Sequence, residues 1–173
     1  MKKAIATPKA PAAIGPYSQG VAASGRFAFV SGQLPIDPAT GAFAAEDIKG
    51  QTEQSLKNVG AILAEAGFGF EDVVKTTVLL ADIADFGPMN EVYATFFNGE
   101  CPARAAFAVK DLPKGAKVEI EAIAVKDLGK THEKGRGPQG PLLLTHTEVY
   151  KARLDCCGAG MYNVPSLPKR RTT

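Results

Sequence analysis

The spacing of apolar residues changes period several times before residue 127, and each change marks an element. Residues 26 to 31 alternate, with Phe27, Phe29 and Ser31 on one face and Ala28 and Val30 on the other, which predicts a strand. Residues 17 to 24 are more weakly strand-like, between the Gly15-Pro16 turn and Gly25. Past the turn cluster Asp37-Pro-Ala-Thr-Gly41 the period lengthens. Leu56, Val59, Ile62, Leu63 and Ala66 recur at helical steps and Gly67 stops them, which predicts a first helix. Residues 73 to 81, rich in β-branched side chains, predict a central strand. A second helix tolerates Pro88 in its first turn and carries the stripe Met89, Val92, Tyr93, Phe96 and Phe97. Two strands follow, residues 103 to 110 and 117 to 126, joined by Asp111-Leu-Pro-Lys-Gly115. The order β-β-α-β-α-β-β predicts a two-layer α+β domain with both helices on one sheet face. The other face then keeps apolar side chains in water, and closed symmetric self-association is the simplest cover.

Composition bounds the class. The 173 residues, 45% hydrophobic and 22% charged, suffice for one domain with a core that needs neither disulfide nor metal. Pro8 and Pro11 interrupt the basic start before an apolar signal region forms, and no segment approaches the roughly 18 apolar residues of a membrane span. Three cysteines without metal-ligand spacing favour free thiols in a reducing, cytoplasmic compartment. Residues 1–127 hold 12 Lys+Arg against 15 Asp+Glu, net −3, and residues 128–173 hold 8 against 3, net +5. The later segment is interrupted by glycines and prolines throughout and reads as a disordered basic extension. His132, His146, Cys156 and Cys157 within it lack the paired spacing of a metal site. Lys169, Arg170 and Arg171, with no aromatic residues among them, do not make a specific nucleic-acid site.

One residue breaks the apolar pattern informatively. Arg104 lies on a strand of small residues, Ala103, Ala105, Ala106 and Ala108, where a permanently charged guanidinium requires an anion. Arg104, Ala106 and Ala108 share one strand face; Glu119, Glu121 and Ile123 share a face on the next strand in sequence. Two readings stand here. Arg104 pairs with Glu119 or Glu121 as a structural ion pair, or the room left by the alanines admits the carboxylate of a small ligand.

The blocks Ile14-Gly-Pro-Tyr-Ser-Gln-Gly20, Val30-Ser-Gly-Gln-Leu-Pro35, Val74-Lys-Thr-Thr-Val78, Cys101-Pro-Ala-Arg-Ala105 and Val118-Glu-Ile-Glu-Ala-Ile-Ala-Val125 resemble, in order and spacing, the RidA/YjgF family of reactive-intermediate deaminases. The resemblance covers residues 4 to 126. It implies a chorismate-mutase-like α+β fold, a homotrimer with ligand sites at subunit clefts, and no cofactor. The implied reaction is hydrolysis of 2-imino acids, released by pyridoxal-phosphate enzymes, to 2-keto acids and ammonia. By the same resemblance Arg104 binds the substrate carboxylate and Glu119 handles the water. Tyr17, Ser31 and Asn90 line the cleft, and Gly32 and Ala106 offer backbone to the ligand. Many members have cysteine where this chain has Ala106; water is the nucleophile in imine hydrolysis, so a backbone N–H serves there as well from alanine. A non-catalytic trimeric binding or regulatory module for small carboxylates is the alternative, and ribonuclease activity or translation inhibition a further one that the acidic body opposes.

Overall fold

The computed structural model describes residues 2–97 and 99–127. Among them lie β1 (Lys2–Ile5), β2 (Gly20–Ala23), β3 (Arg26–Gln33), α1 (Ile48–Glu65), β4 (Val73–Leu80), α2 (Phe86–Phe96), β5 (Ala103–Ala108) and β6 (Val118–Lys126). The α+β class agrees with the periodicity, and the strand β1 is an addition to it. β1 is four residues long, too short for alternation to register, and it forms an antiparallel pair with β2 alone. The expected extension at residues 128–173 lies outside the described residues.

The main sheet has the order β3-β6-β4-β5. β6 runs antiparallel to both β3 and β4, whereas β4 and β5 are parallel. A parallel pair needs a crossover connection, and α2 supplies it between β4 and β5. β5 is therefore an edge strand with β4 between it and β6. The side-by-side placement of the last two strands, on which an Arg104–glutamate pair depended, does not occur.

Both helices pack on one face. Leu56, Val59 and Leu63 of α1 and Met89 and Tyr93 of α2 are at most 1% exposed and meet Val30, Val78, Leu80 and Ile120 from the sheet. Burying each such side chain contributes about 1.5–3 kcal/mol. Asp47 starts α1 by accepting hydrogen bonds from the Lys49 and Gly50 amides at 2.9 and 3.0 Å. Gly67 ends it with φ +76°, the left-handed conformation that lets the Phe68 amide reach back to Leu63 O at 2.8 Å. Arg26 completes that end, donating to Ala66 O at 3.2 Å with its guanidinium 4.7 Å from the centre of the Phe68 ring. Two predicted stripe residues fall elsewhere: Ala66 is the C-cap, and Ile62, 41% exposed, lines a surface groove with Leu34, Ile36 and Pro38.

The opposite face carries Phe27 and Phe29, stacked with centroids 6.2 Å apart and 53% and 73% exposed. The alternation of residues 26 to 31 assigns these faces correctly. On this side β3 also departs from its ladder. Val30 pairs with Ala122 but Gln33 with Ile120, so three residues of β3 span two of β6 and a bulge forms at Ser31–Gly32.

Candidate active site

Arg104 rises from β5 on the helix-covered face. Its register partner across the parallel ladder is Thr76, whose hydroxyl lies 2.7 Å from the hydroxyl of Tyr93 on α2, so all three look toward the helices. The guanidinium carbon lies 4.6 Å from the Tyr93 ring centre, 5.5 Å from Tyr17 and 5.7 Å from Phe86. This is an aromatic cage for a cation. Phe86 and Tyr93 are seven residues apart, two helical turns, and so share the α2 face turned to β5. Tyr17 is held from another direction. Ser18 donates its amide to Pro102 O at 2.9 Å and its hydroxyl to Cys101 O at 2.6 Å, tying the 15–18 turn to the start of β5. The Tyr17 hydroxyl accepts from the Ile14 amide at 3.3 Å.

Among the described residues no carboxylate forms an ion pair with Arg104. Its Nη1 is buried without a hydrogen-bond partner, and so is Oδ1 of Asn90 on α2. A buried polar atom left unpaired costs about 1–3 kcal/mol, more for a charged group, so two together make this spot the candidate site. The side chains converge at Gly15. A side-chain carbon added there would lie 3.8 Å from Arg104 Nη2, 3.8 Å from Asn90 Nδ2 and 3.7 Å from the Tyr17 ring. Burial lowers the guanidinium pKa, opposed by the neighbouring Tyr93 and Tyr17; burial also pushes the Tyr93 hydroxyl up to about 12. Tyr93 is thus a neutral hydrogen-bonding wall, not a proton carrier. Ala106, opposite Val78, shares the Arg104 face and adds only a methyl to it.

Glu119 sits on the other side of the sheet. It pairs with Leu79, which alternates with the inward Val78 and Leu80 and so points away from the helices. Its carboxylate occupies the space beside Gly32 where any side chain would project, which is why the bulge carries glycine there. Exposed Ser31 adjoins it on the same bulge. The sequence-derived residues therefore fall into two groups. Tyr17, Asn90, Arg104 and Ala106 gather on the helix side; Ser31, Gly32 and Glu119 gather on the open side. Glu121, also outward, is exposed and lies near the Lys75 amine, whose pKa burial lowers and Glu121 raises.

Gly15, Phe86 and Tyr93 complete the Arg104 group without having been assigned to it from sequence. Phe86 and Tyr93 carried a signal, the seven-residue aromatic spacing on the helix that leads into the arginine strand. The Cys101 thiol faces Phe97 O and Gly99 O at 3.9 and 3.8 Å, within its own loop.

Residues 7–126 match the family model described as Endoribonuclease L-PSP. The chain belongs to the YjgF/RidA family. The mouse protein named 2-iminobutanoate/2-iminopropanoate deaminase is 54% identical over 126 residues, 73% of this chain and 93% of the relative. Its human counterpart of the same name is 49% identical, covering 73% and 91%. Among solved structures, Escherichia coli TdcF with bound serine is 46% identical, with a TM-score of 0.57 over 72% of this chain and 99% of that one. The E. coli YjgF gene product is 50% identical, with a TM-score of 0.56 over 72% and 98%. Family membership thus rests on the region that holds both residue groups.

Proposed function

We propose that this protein hydrolyses 2-imino acids to 2-keto acids and ammonia, in a site completed by a second copy of the chain. The observation that carries the reading is the buried, unpaired Nη1 of Arg104 inside a ring of aromatic side chains. A guanidinium fork holds a planar carboxylate through two parallel hydrogen bonds, a geometry lysine cannot reproduce. Fixing that carboxylate fixes the adjacent C=N carbon. The names of the deaminase relatives and the serine bound to TdcF, a ligand with carboxylate and nitrogen on one carbon, support the same chemistry.

The reaction needs one more group. Water attacks the iminium carbon while Glu119 takes its proton, forming a carbinolamine; Glu119 passes that proton to nitrogen, the C–N bond breaks, and as the keto carbonyl forms Glu119 takes the hydroxyl proton and hands it to the departing ammonia, which leaves as ammonium. Atoms balance as iminium plus water to ketone plus ammonium. Within one chain Glu119 cannot reach a ligand on Arg104, because the sheet lies between them. Closed assembly brings the Ser31–Gly32–Glu119 side of one copy against the Tyr17–Asn90–Arg104 side of another and covers the Phe27–Phe29 face. A homotrimer with three such clefts is the proposed form, acting in the cytoplasm downstream of pyridoxal-phosphate enzymes that release imines. Its chemistry calls for no metal or organic cofactor.

A non-catalytic carboxylate-binding module would use Arg104 and leave Glu119 idle. A coupled assay separates the two: generate 2-iminobutanoate with a dehydratase and follow imine loss. Acceleration by wild type, reduced about 10²–10⁴-fold in Glu119→Gln with KM little changed, is the expected result. No acceleration by wild type defeats the deaminase reading.

A further inference from the structure

Aromatic rings, not a carboxylate, surround the Arg104 guanidinium. Among the described residues no acid pairs with it, while its Cζ lies over the Tyr93 ring at 4.6 Å, nearer than over Tyr17 or Phe86. A ring face attracts a cation through its quadrupole and takes up none of its N–H groups. A structural carboxylate would occupy the same fork that a ligand carboxylate needs.

Of the three rings, Tyr93 is the one fixed at both ends. It is fully buried, its ring meets Phe97 with centroids 4.5 Å apart, and its hydroxyl lies 2.7 Å from that of Thr76. Thr76 is 1% exposed and is the register partner of Arg104 on β4. The next inward position on that strand is Val78, also buried. Valine and threonine are alike in shape, so filling the core does not by itself call for a hydroxyl at 76; its use is the tie to Tyr93. The strand that pairs with β5 thus also anchors the ring beside the β5 guanidinium.

We propose that Tyr93 is a positioning residue, whose ring face fixes the Arg104 guanidinium and leaves its N–H fork, with the unpaired Nη1, free for the ligand carboxylate. This rests on the reading of Arg104 as the carboxylate holder. Tyr93 itself touches no reacting atom; it acts through the arginine. The ring face carries this role, so losing the hydroxyl weakens the core while burial and Phe97 still hold the ring. Weakening the π face does the reverse.

Binding measured apart from catalysis tests this. Full-length wild type, Tyr93→Phe, Tyr93→difluorophenylalanine and Tyr93→pentafluorophenylalanine are titrated calorimetrically with 2-ketobutanoate, and each is unfolded in urea. Fluorine draws electron density from the ring face while keeping the ring apolar and nearly unchanged in shape. The expected affinity is near wild type in Tyr93→Phe and falls stepwise to about tenfold weaker in the pentafluoro variant, with no parallel fall in urea midpoint across the fluorinated series. Tyr93→Leu, which has no ring, should bind at least as weakly; if it does not fold, the fluorinated series decides. Equal affinity across that series overturns the proposal, as does an affinity loss that tracks the loss of stability. A wild type that does not bind 2-ketobutanoate overturns both this role and the carboxylate reading of Arg104. The deaminase reading fails separately: a protein that shows the stepwise loss but does not accelerate imine loss keeps the Tyr93 role and loses the reaction.

Discussion

The two faces of the main sheet solve opposite problems. On the helix side, Arg104 lies among three aromatic rings, with its Nη1 and Asn90 Oδ1 buried and unpaired. On the open side, Glu119 leans on a bulged strand beside Gly32, and farther along the same face two stacked phenylalanines remain in water. One face is finished except for a ligand; the other is unfinished except for a surface to meet it. The candidate chemistry is thus divided by the sheet itself, and the proposed reaction requires both halves.

The largest expected effect comes from emptying the finished half. Arg104→Ala should lower kcat/KM for 2-iminobutanoate by about 10³-fold or more, and Arg104→Lys should recover little of it, because the bidentate geometry is lost. A lysine variant with near-wild-type kinetics would reduce Arg104 to a point charge. On the unfinished half, Gly32→Ala puts a methyl where the Glu119 carboxylate now lies. The carboxylate must move, so kcat should drop about tenfold or more while affinity for 2-ketobutanoate holds, as read by steady-state kinetics beside calorimetry. Equal losses in both measurements would place Gly32 in general folding.

How much of this was legible in the chain depends on the range of the interaction. Local periodicity displayed both helices, the alternation at Phe27–Phe29 and the odd placement of Arg104 among alanines, because each is a property of neighbours in sequence. The order β3-β6-β4-β5 was not legible: residues 103 to 126 suggest two adjacent strands, and only tertiary packing places β4 between them. That insertion separates the two strands, and the pairings of Arg104 with Thr76 and of Glu119 with Leu79 turn the two side chains to opposite faces of the sheet. The bulge at Ser31–Gly32 was equally silent, being a mismatch between two strands some ninety residues apart.

Smaller effects separate support from chemistry. Tyr93→Phe removes the hydroxyl that meets Thr76 at 2.7 Å and leaves a buried threonine unpaired. A stability loss of about 1–2 kcal/mol in urea denaturation should follow, with the aromatic contact to Arg104 intact. Asp47→Ala removes the cap of α1, outside both residue groups, and should lower the melting temperature slightly at neutral pH without changing KM. Hydrogen bonds from the Gly50 and Lys49 amides hold the Asp47 pKa below its ordinary 3.8. Its contribution is therefore present above that value and fades as pH falls through the lowered one, so wild type and variant should converge in strongly acidic buffer.

The central claim is that one copy lends Arg104 and another lends Glu119. Arg104→Ala and Glu119→Gln chains, each inactive alone, can be unfolded together, refolded as mixed oligomers and assayed for loss of 2-iminobutanoate. Shared sites predict recovery of about a quarter of wild-type activity at equal mixing, the fraction of clefts that receive both intact residues from two copies. Mixed oligomers, verified by a tag on one variant, that stay as inactive as their parents would contradict it.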